Sequence, residues 1–448
     1  MTNLSSPAAL TLLDKVNVCL QDFGDHVMHL VFDCSDRIDI GRLQKALRLS
    51  LDQHPILAMR LDESNLQPRW VPHSKQTLDQ YTYCDLIAGA EPEPTIEEFM
   101  LKQYDYQHAP MVKARVIRHK RDTICIKVSC TPIDGRGFLI YVENMLSIYE
   151  QLHLNPNYQP QPGTLSTRST KALVPYFKFR DVFALLYFGI LHQLHDSRTA
   201  GNWQLPCTDS ATLKKRYYCH RFSPSTLQAL NQFRQTHKLS FNDVLLGSYY
   251  LALHELIKPQ KRGPFCILNT YDLRRYEKDH PTGIAPDRVA NYSSFINTNI
   301  FPQADTNLLQ AAMAVQRAIS QRKSHYPGIT EGPFIWPLLT FLPFSIGSRI
   351  VKFLLKHRGE KIPVFTNVGI IPVERMLMNG KPIHNVRPFA PLEYPPKLTV
   401  TLATSGQVIS LSMGYSEHHF ATITIQQLFK RMEQLILATC SQTATEAA

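Results

Sequence analysis

The stretch Thr123-Ile124-Cys125-Ile126-Lys127-Val128-Ser129-Cys130-Thr131-Pro132-Ile133-Asp134-Gly135 changes character at its midpoint. Ile124, Ile126, Val128 and Cys130 alternate with Thr123, Cys125, Lys127 and Ser129, the period of two expected of a strand with two chemically different faces. Pro132 and Gly135 interrupt the alternation, and from Phe138 to Leu152 the apolar residues recur at helical spacing. A strand therefore runs through a short turn into a helix. The turn gathers a hydroxyl, a thiol and a carboxylate within six positions, which makes it the first place to look for chemistry.

Working outward, a helix follows Asp39, a candidate N-cap, with Leu43, Ala46, Leu47 and Leu51 on one face. His54-Pro55 ends it, and Ile56 to Leu61 reads as a strand. Beyond the central helix, residues 155 to 215 lose periodicity except in the apolar run Val182 to Leu191, and they open on Asn155-Pro156 and Pro160-Gln161-Pro162-Gly163. Alternation resumes at Arg216 to Phe222. Ser223-Pro224 then starts a helix carrying Leu227, Leu230 and Phe233, and Ser240 caps another over Phe241 to Ile257. Lys397 to Ala403 and Gln407 to Tyr415 form a hairpin about Ser405-Gly406, and a last helix carries Ile425, Leu428, Phe429, Met432, Leu435 and Ile436. The mixture predicts an α/β chain of two lobes: residues 1–165, a crossover over 166–215, and residues 216–448.

Composition fits that expectation. The chain has 448 residues, 44% of them hydrophobic and 19% charged, as globular chains do. Forty-eight Lys and Arg against 37 Asp and Glu leave a net charge of +11, which favours encounters with acidic or phosphate-bearing partners. The nine cysteines are odd in number and scattered without a Cys-x-x-Cys pair, which predicts reduced thiols in a cytoplasm. No N-terminal signal pattern and no run of about 18 apolar residues is found, so no membrane span is expected. Val182–Leu191 and Pro333–Gly347, the latter broken by Pro337 and Pro343, are expected to be a buried helix and a core loop; the alternative is the wall of a substrate tunnel or a surface that touches lipid. Phosphate-binding glycine loops, metal-ligand spacings and nucleic-acid modules are missing from the sequence. His26 and His29 on an early strand-like segment, and the pair His418-His419, are expected to serve packing or the surface.

The turn Ser129 to Gly135 resembles the active-site segment of the condensation-domain superfamily of acyltransferases, whose motif is His-His-x-x-x-Asp-Gly between a strand and a helix. That superfamily includes peptide condensation domains, chloramphenicol acetyltransferase, polyketide-associated acyltransferases, wax ester synthases and alcohol acetyltransferases. Further segments follow the family's order. His54-Pro55-Ile56-Leu57 resembles its "hPiL" stretch, and Ser240 to Leu246 resembles its Thr-x-Asn-Asp-Val-Leu helix start. Tyr271-Asp272-Leu273-Arg274 is similar to its Asp-Leu-Arg motif, Ala290-Asn291-Tyr292 stands in place of its Gly-Asn, and Phe365 to Gly369 is similar to its Ser-Asn-x-Gly segment. The likeness runs from about residue 40 to residue 437.

The resemblance implies two chloramphenicol-acetyltransferase-like lobes with a tunnel between them, into which Asn291, Tyr292 and Asn367 would project. It implies no tightly bound cofactor, and a thioester of coenzyme A or of a carrier protein's phosphopantetheine as co-substrate, with a hydroxyl or amine as acceptor. Asp134 and Gly135 match the end of the motif, and Arg274 is the arginine that would pair with Asp134 to hold the loop. Both histidines are replaced, by Ser129 and Cys130. The family's base is the second of them, and a thiol with an ordinary pKa near 8.5 is a poorer base at neutrality than an imidazole near 6.5. Three roles for Cys130 follow: a packed small side chain, a nucleophile with Ser129 beside it, or a bystander to substrate positioning alone. The functions open to such a chain are acyl transfer with altered chemistry, recruitment of a carrier protein without turnover, and a repurposed reaction such as cyclisation of a bound chain. Basic runs at Lys214, Lys215, Arg216 and Arg221, and at Lys352 to Arg358, are candidates for a phosphate or an acidic carrier.

Overall fold

The strand of the central stretch is the spine of the first lobe. In the computed structural model, which describes residues 6–105, 108–165, 168, 177–199, 205–257, 264–278, 288–332, 335–358 and 362–446, that lobe comprises α1 (Leu12–Leu20), β1 (Val27–Asp33), α2 (Ile40–Gln53), β2 (Cys84–Ala88), α3 (Pro92–Leu101), β3 (Val112–Arg118), β4 (Asp122–Ser129) and α4 (Gly135–Leu154). The crossover carries α5 (Phe179–Thr199). Then follow β5 (Lys215–Arg221), α6 (Pro224–Thr236), α7 (Phe241–Ile257), β6 (Phe265–Asp272), β7 (Ser293–Ile300), α8 (Leu308–Lys323), α9 (Trp336–Phe341), α10 (Phe344–Arg358), β8 (Val364–Ile371), β9 (His384–Phe389), β10 (Thr399–Ser405), β11 (Val408–Ser416) and α11 (Thr422–Glu446).

Both faces of β4 are buried, each for its own reason. Ile124, Ile126, Val128 and Cys130 join the core beneath α2 and α4. Cys125 packs with Ile96 and Phe99 of α3, and the Lys127 ammonium donates to the carbonyls of Phe99 (3.2 Å) and Lys102 (3.1 Å) while lying over the Phe99 ring. Burial pulls that ammonium down to about 8. α4 begins at Gly135, three residues ahead of the predicted start, because the Asp134 carboxylate caps it by accepting from the Gly137 amide at 2.7 Å. The predicted strand at Ile56 begins only at Met59: Pro55–Ala58 form a 3₁₀ turn, with the Leu57 amide bonded to the His54 carbonyl.

The first sheet has the order β9-β1-β4-β3-β2 and the second β7-β6-β8-β10-β11-β5. β9 thus belongs to the first lobe's sheet although it lies far down the chain: residues 377–393 leave the second lobe after β8, pair with β1, and return at β10. The Asn379-Gly380 turn at the tip of this arm, both residues at positive φ, is held by the Glu150 carboxylate, which accepts from both amides. The lobes are further joined by Lys215 to Asp25 (2.7 Å) and Arg216 to Glu97 (2.9 Å), which spend the first of the two basic runs.

α5 corrects an expectation. Val182–Leu191 was expected to be buried, yet Val182, Phe183, Leu186, Tyr187, Ile190 and Leu191 are exposed. The helix turns its polar stripe inward instead: Asp196 accepts from the Asn297 (2.6 Å) and Asn299 (2.9 Å) side chains of the edge strand β7 and pairs with Arg322, and Phe188 stacks on His325. The predicted loop Pro333–Gly347 lies partly outside the described residues (333–334); the rest forms α9 and the start of α10, with Leu339 and Phe344 in the core. Within the crossover, residues 166–167, 169–176 and 200–204 lie outside the described residues, as do the side chains of His357 and Arg358.

Candidate functional site

Between the two sheets lies a cavity of about 160 Å³ whose walls come from both lobes, among them Leu13, Val16 and Leu20 of α1, His26, Met28, Cys130, Phe138 of α4, and Thr270, Val364 and Thr399 of the second sheet. It adjoins a more polar cleft of about 450 Å³ on the second-lobe side, lined by Asn242, Asp272, Arg275, Lys323 and Asn367. The two share Asp134, Gly135, Thr270, Ser293, Thr366 and Val368 as walls.

The opening at that junction follows from strand geometry. β6 and β8 run parallel, but only Leu268 with Val364 and Asn269 with Phe365 are in register. Past them the strands part, bridged by Thr270 and Thr366, whose hydroxyls lie 3.0 Å apart. A crevice beyond the carboxyl ends of parallel strands is where open α/β sheets hold ligands. β8 also carries a bulge between Asn367 and Gly369. Gly369 sits there at φ +86°, a left-handed conformation that favours glycine, and the Asn367 side chain accepts from its amide at 2.9 Å.

Asp134 is buried and saturated with donors. It accepts from Arg274 at 2.9 and 3.1 Å, from the Tyr292 amide at 2.6 Å and from the Gly137 amide. Arg274 also donates to Asp272 and to the carbonyls of Arg288 and Ala290, and lies over the Tyr292 ring; this set of acceptors raises its pKa against the opposing effect of burial. Asp134 and Arg274 therefore tie the start of α4 to β6 and to residues 288–292 of the second lobe. The glycine that this junction demands sterically is Gly137, where a Cβ would lie 2.8 Å from the Ala290 carbonyl oxygen. Gly135, the glycine that the sequence reading singled out, would place a Cβ in open space at an ordinary φ. What its missing side chain leaves is room at the junction of the two cavities.

Cys130 lies on the chamber wall, and there the structure brings in a residue that the sequence reading assigned to packing. His26 Nδ1 lies 3.0 Å from Cys130 Sγ, and the Cys130 amide donates to the His26 carbonyl at 3.1 Å. The backbone of Leu20 also favours the charged imidazole; in the tautomer that carries its proton on Nε2, Nδ1 accepts the Cys130 thiol proton. Burial dominates both groups, holding His26 below the usual histidine range and pushing the Cys130 thiol well above its own. The pair therefore rests neutral, thiol to imidazole, and no cation acts on Cys130 to draw out a thiolate.

Of the remaining expected site residues, Asn291 lines the chamber. Its side chain accepts from the Ser293 amide at 3.2 Å. Asn367 lines the polar cleft and donates to Asn242 at 3.2 Å. Tyr292 is buried beside Arg274 and lines neither cavity. Ser129 is also outside both, its hydroxyl accepting from the Thr131 amide at 3.3 Å, because it occupies the opposite face of β4 from Cys130. His418 is exposed as expected, whereas His419 is buried against Ser416. Sequence reading also missed Arg136, Arg275 and Lys323, exposed cations on the polar cleft with no carboxylate partner among the described residues. Among the described residues no group of three or more His, Cys, Asp or Glu is arranged to hold a metal, and no helix is long and apolar enough to cross a membrane.

Comparison with known proteins agrees with this architecture. The family model of the condensation domain matches residues 22–166. The chain is similar in structure to polyketide synthase associated protein 5 from Mycobacterium tuberculosis (14% identity, TM-score 0.69, covering 98% of this chain and 100% of that one). It is also similar to the trichothecene 15-O-acetyltransferase of Fusarium sporotrichioides (10% identity, TM-score 0.72, covering 96% and 95%) and to the first condensation domain of the CDA synthetase (14% identity, TM-score 0.72, covering 98% and 97%). Among curated proteins, none matches the sequence.

Proposed function

On a chain whose residues 22–166 match the condensation-domain family and which takes the two-lobed fold of condensation domains and related acyltransferases along its length, we propose acyl transfer from a thioester to a hydroxyl or amine, with His26 as the base that the motif position no longer supplies. One observation carries this reading: a neutral imidazole 3.0 Å from the thiol at the motif position, on the wall of the chamber between the lobes. His26 and Cys130 both line the chamber, with Sγ 3.0 Å from Nδ1, and the proton moves by relay through the thiol. As the acceptor oxygen or nitrogen attacks the thioester carbonyl, its proton passes to Cys130 Sγ while the thiol proton passes to His26 Nδ1. The tetrahedral adduct then breaks its carbon–sulfur bond, and the departing thiolate takes a proton back along the same path. A base already unprotonated at neutral pH suits the first half of this cycle.

The donor is a coenzyme A or phosphopantetheine thioester, for which Arg136, Arg275 and Lys323 on the polar cleft are suitable phosphate contacts. The expected test measures acyl transfer from acyl-coenzyme A and acyl-pantetheine donors to a panel of alcohols and amines, with intact-mass analysis of the protein. His26→Gln is expected to lose about 10²- to 10⁴-fold, the usual contribution of a general base. Cys130→Ser, which keeps a hydroxyl in the relay, retains most of the activity. Acyl mass trapped on Cys130, together with an inactive serine variant, would replace the relay by a covalent mechanism. A second reading, a carrier-binding module without turnover, is favoured by the same burial that leaves the thiol un-ionised; a stable carrier complex with no product in any combination would establish it.

A further inference from the structure

A second exposed apolar surface belongs to α9 and α10. Their inner residues Leu339, Phe344 and Val351 enter the first lobe's core and pack toward α1, where the Lys15 ammonium donates to the Leu339 carbonyl at 2.9 Å and Lys352 pairs with Asp22 at 2.7 Å. The outer residues are of a different kind. Phe341 is 83% exposed, Phe353 61%, Ile346 51% and Ile350 38%. Ile346, Ile350 and Phe353 recur every three or four residues on α10, a continuous stripe, and Arg349 and Lys356 are exposed in the same spacing. Neither cation has a carboxylate partner among the described residues, and Phe344–Arg358 contains no Asp or Glu at all.

We propose that this face lies in the surface of an anionic lipid bilayer, with Phe341, Ile346, Ile350 and Phe353 among the acyl chains and Arg349 and Lys356 on the phosphates. The charge pattern chooses the occupant. A second copy of the chain packed symmetrically on the same face would bring Arg349 and Lys356 of both copies to a seam to which α10 contributes no carboxylate, cation near cation. An anionic bilayer offers apolar depth and negative charge in one layer, which is the environment that an amphipathic helix with interleaved cations matches. The net charge of +11 acts in the same direction at longer range. α5 also exposes an apolar face, but among its described side chains Arg180 is the one Lys or Arg, and it stands at the helix start 3.8 Å from Asp181; it serves as the control surface. Docking and acyl chemistry are separable, since none of the four apolar residues lines the chamber.

The test is co-flotation of the full chain with vesicles of phosphatidylcholine alone and of phosphatidylcholine containing phosphatidylglycerol, with thermal unfolding to confirm that each variant is folded. Binding is expected on the anionic vesicles, weaker on the neutral ones, and reduced by salt. Phe341→Ser and Phe353→Ser should each weaken it about tenfold or more, and Arg349→Gln and Lys356→Gln about fivefold each, while Leu186→Ser with Tyr187→Ser on α5 leaves it unchanged. The proposal is overturned by absence of binding to both vesicles, by binding that the phenylalanine variants leave intact, by loss confined to the α5 variant, or by a concentration-dependent dimer in sedimentation that Phe353→Ser dissociates.

Discussion

Two glycines two residues apart at the start of α4 should respond to the same substitution with opposite signs. At Gly137 a Cβ would stand 2.8 Å from the Ala290 carbonyl oxygen, 3.2 Å from its amide nitrogen and 3.3 Å from an Asp134 carboxylate oxygen. Two of those neighbours are backbone, and the third is locked by Arg274, so none can swing aside. Gly137→Ala must push α4 away from residues 290–292 and stretch the bonds that Asp134 makes across the lobe junction. Overpacking of this kind costs about 1–3 kcal/mol, and the better helix propensity of alanine returns at most about 1 kcal/mol. A net loss of about 1–2 kcal/mol is expected. Gly135→Ala meets nothing within 4 Å and has no positive φ to relieve, so it should gain about 0.4–1 kcal/mol by restricting the unfolded chain. Its methyl group nevertheless enters the wall shared by the two cavities, so ligand turnover or binding should fall while stability rises. Urea unfolding of both variants beside the wild type reads the difference through the midpoint at constant slope. Equal stabilities for the two variants, or a loss at Gly135 matching that at Gly137, would refute the assignment of steric need to Gly137 and of free space to Gly135.

Asp134→Asn should destabilise the protein by about 3–5 kcal/mol, since it strips the buried Arg274 of its main counter-charge, whereas Asp272→Asn, whose partner is the same arginine but whose side chain is 34% exposed, should cost far less; paired urea curves decide it. Acyl transfer should stay on its plateau as pH falls from 7 through 6.5, because burial holds His26 below the usual range and a base with a depressed pKa is protonated, and lost, only below that range. An acid limb centred at or above pH 6.5 excludes His26 as the base. With a charged disulfide reagent at neutral pH, the exposed Cys207 should react at once and the buried Cys130 only on unfolding; mass mapping that finds Cys130 labelled in the native chain would contradict its un-ionised state.

Locally encoded features were legible in the sequence. The Asp39 cap, the α7 start, where Ser240 and Asp243 each accept from the other's amide, and the alternation of β4 all follow from interactions within a few residues, and the structure has each of them. The two-lobed fold was legible through motif order. The arm that carries β9 to the first sheet was not, because a strand's partner across the molecule leaves no mark on its own period. The outward face of α5 was misread for a related reason: an apolar run says that a helix has a greasy side, and only the Asn297, Asn299 and Arg322 side chains waiting for Asp196 decide which side the protein takes. Gly137 was overlooked in favour of Gly135 because the close backbone belongs to Ala290, far along the chain.

His26 shows how such a miss bears on function. β1 and β4 are antiparallel, and Val27 is paired with Ser129, so one step further out brings His26 opposite Cys130. Residues opposite one another on neighbouring antiparallel strands have Cβ atoms only about 5 Å apart and point to the same face. A histidine at position 26 therefore delivers a ring nitrogen to the side chain at position 130, provided that the residue there is small and able to hydrogen-bond, as Cys130 is. The register needed to see this was implicit in the sequence once β1 and β4 were recognised as partners, but the spacing between residues 26 and 130 carries no motif. The chamber wall therefore carries an imidazole, supplied by the residue just before β1, with the Cys130 thiol hydrogen-bonded to it from the end of β4.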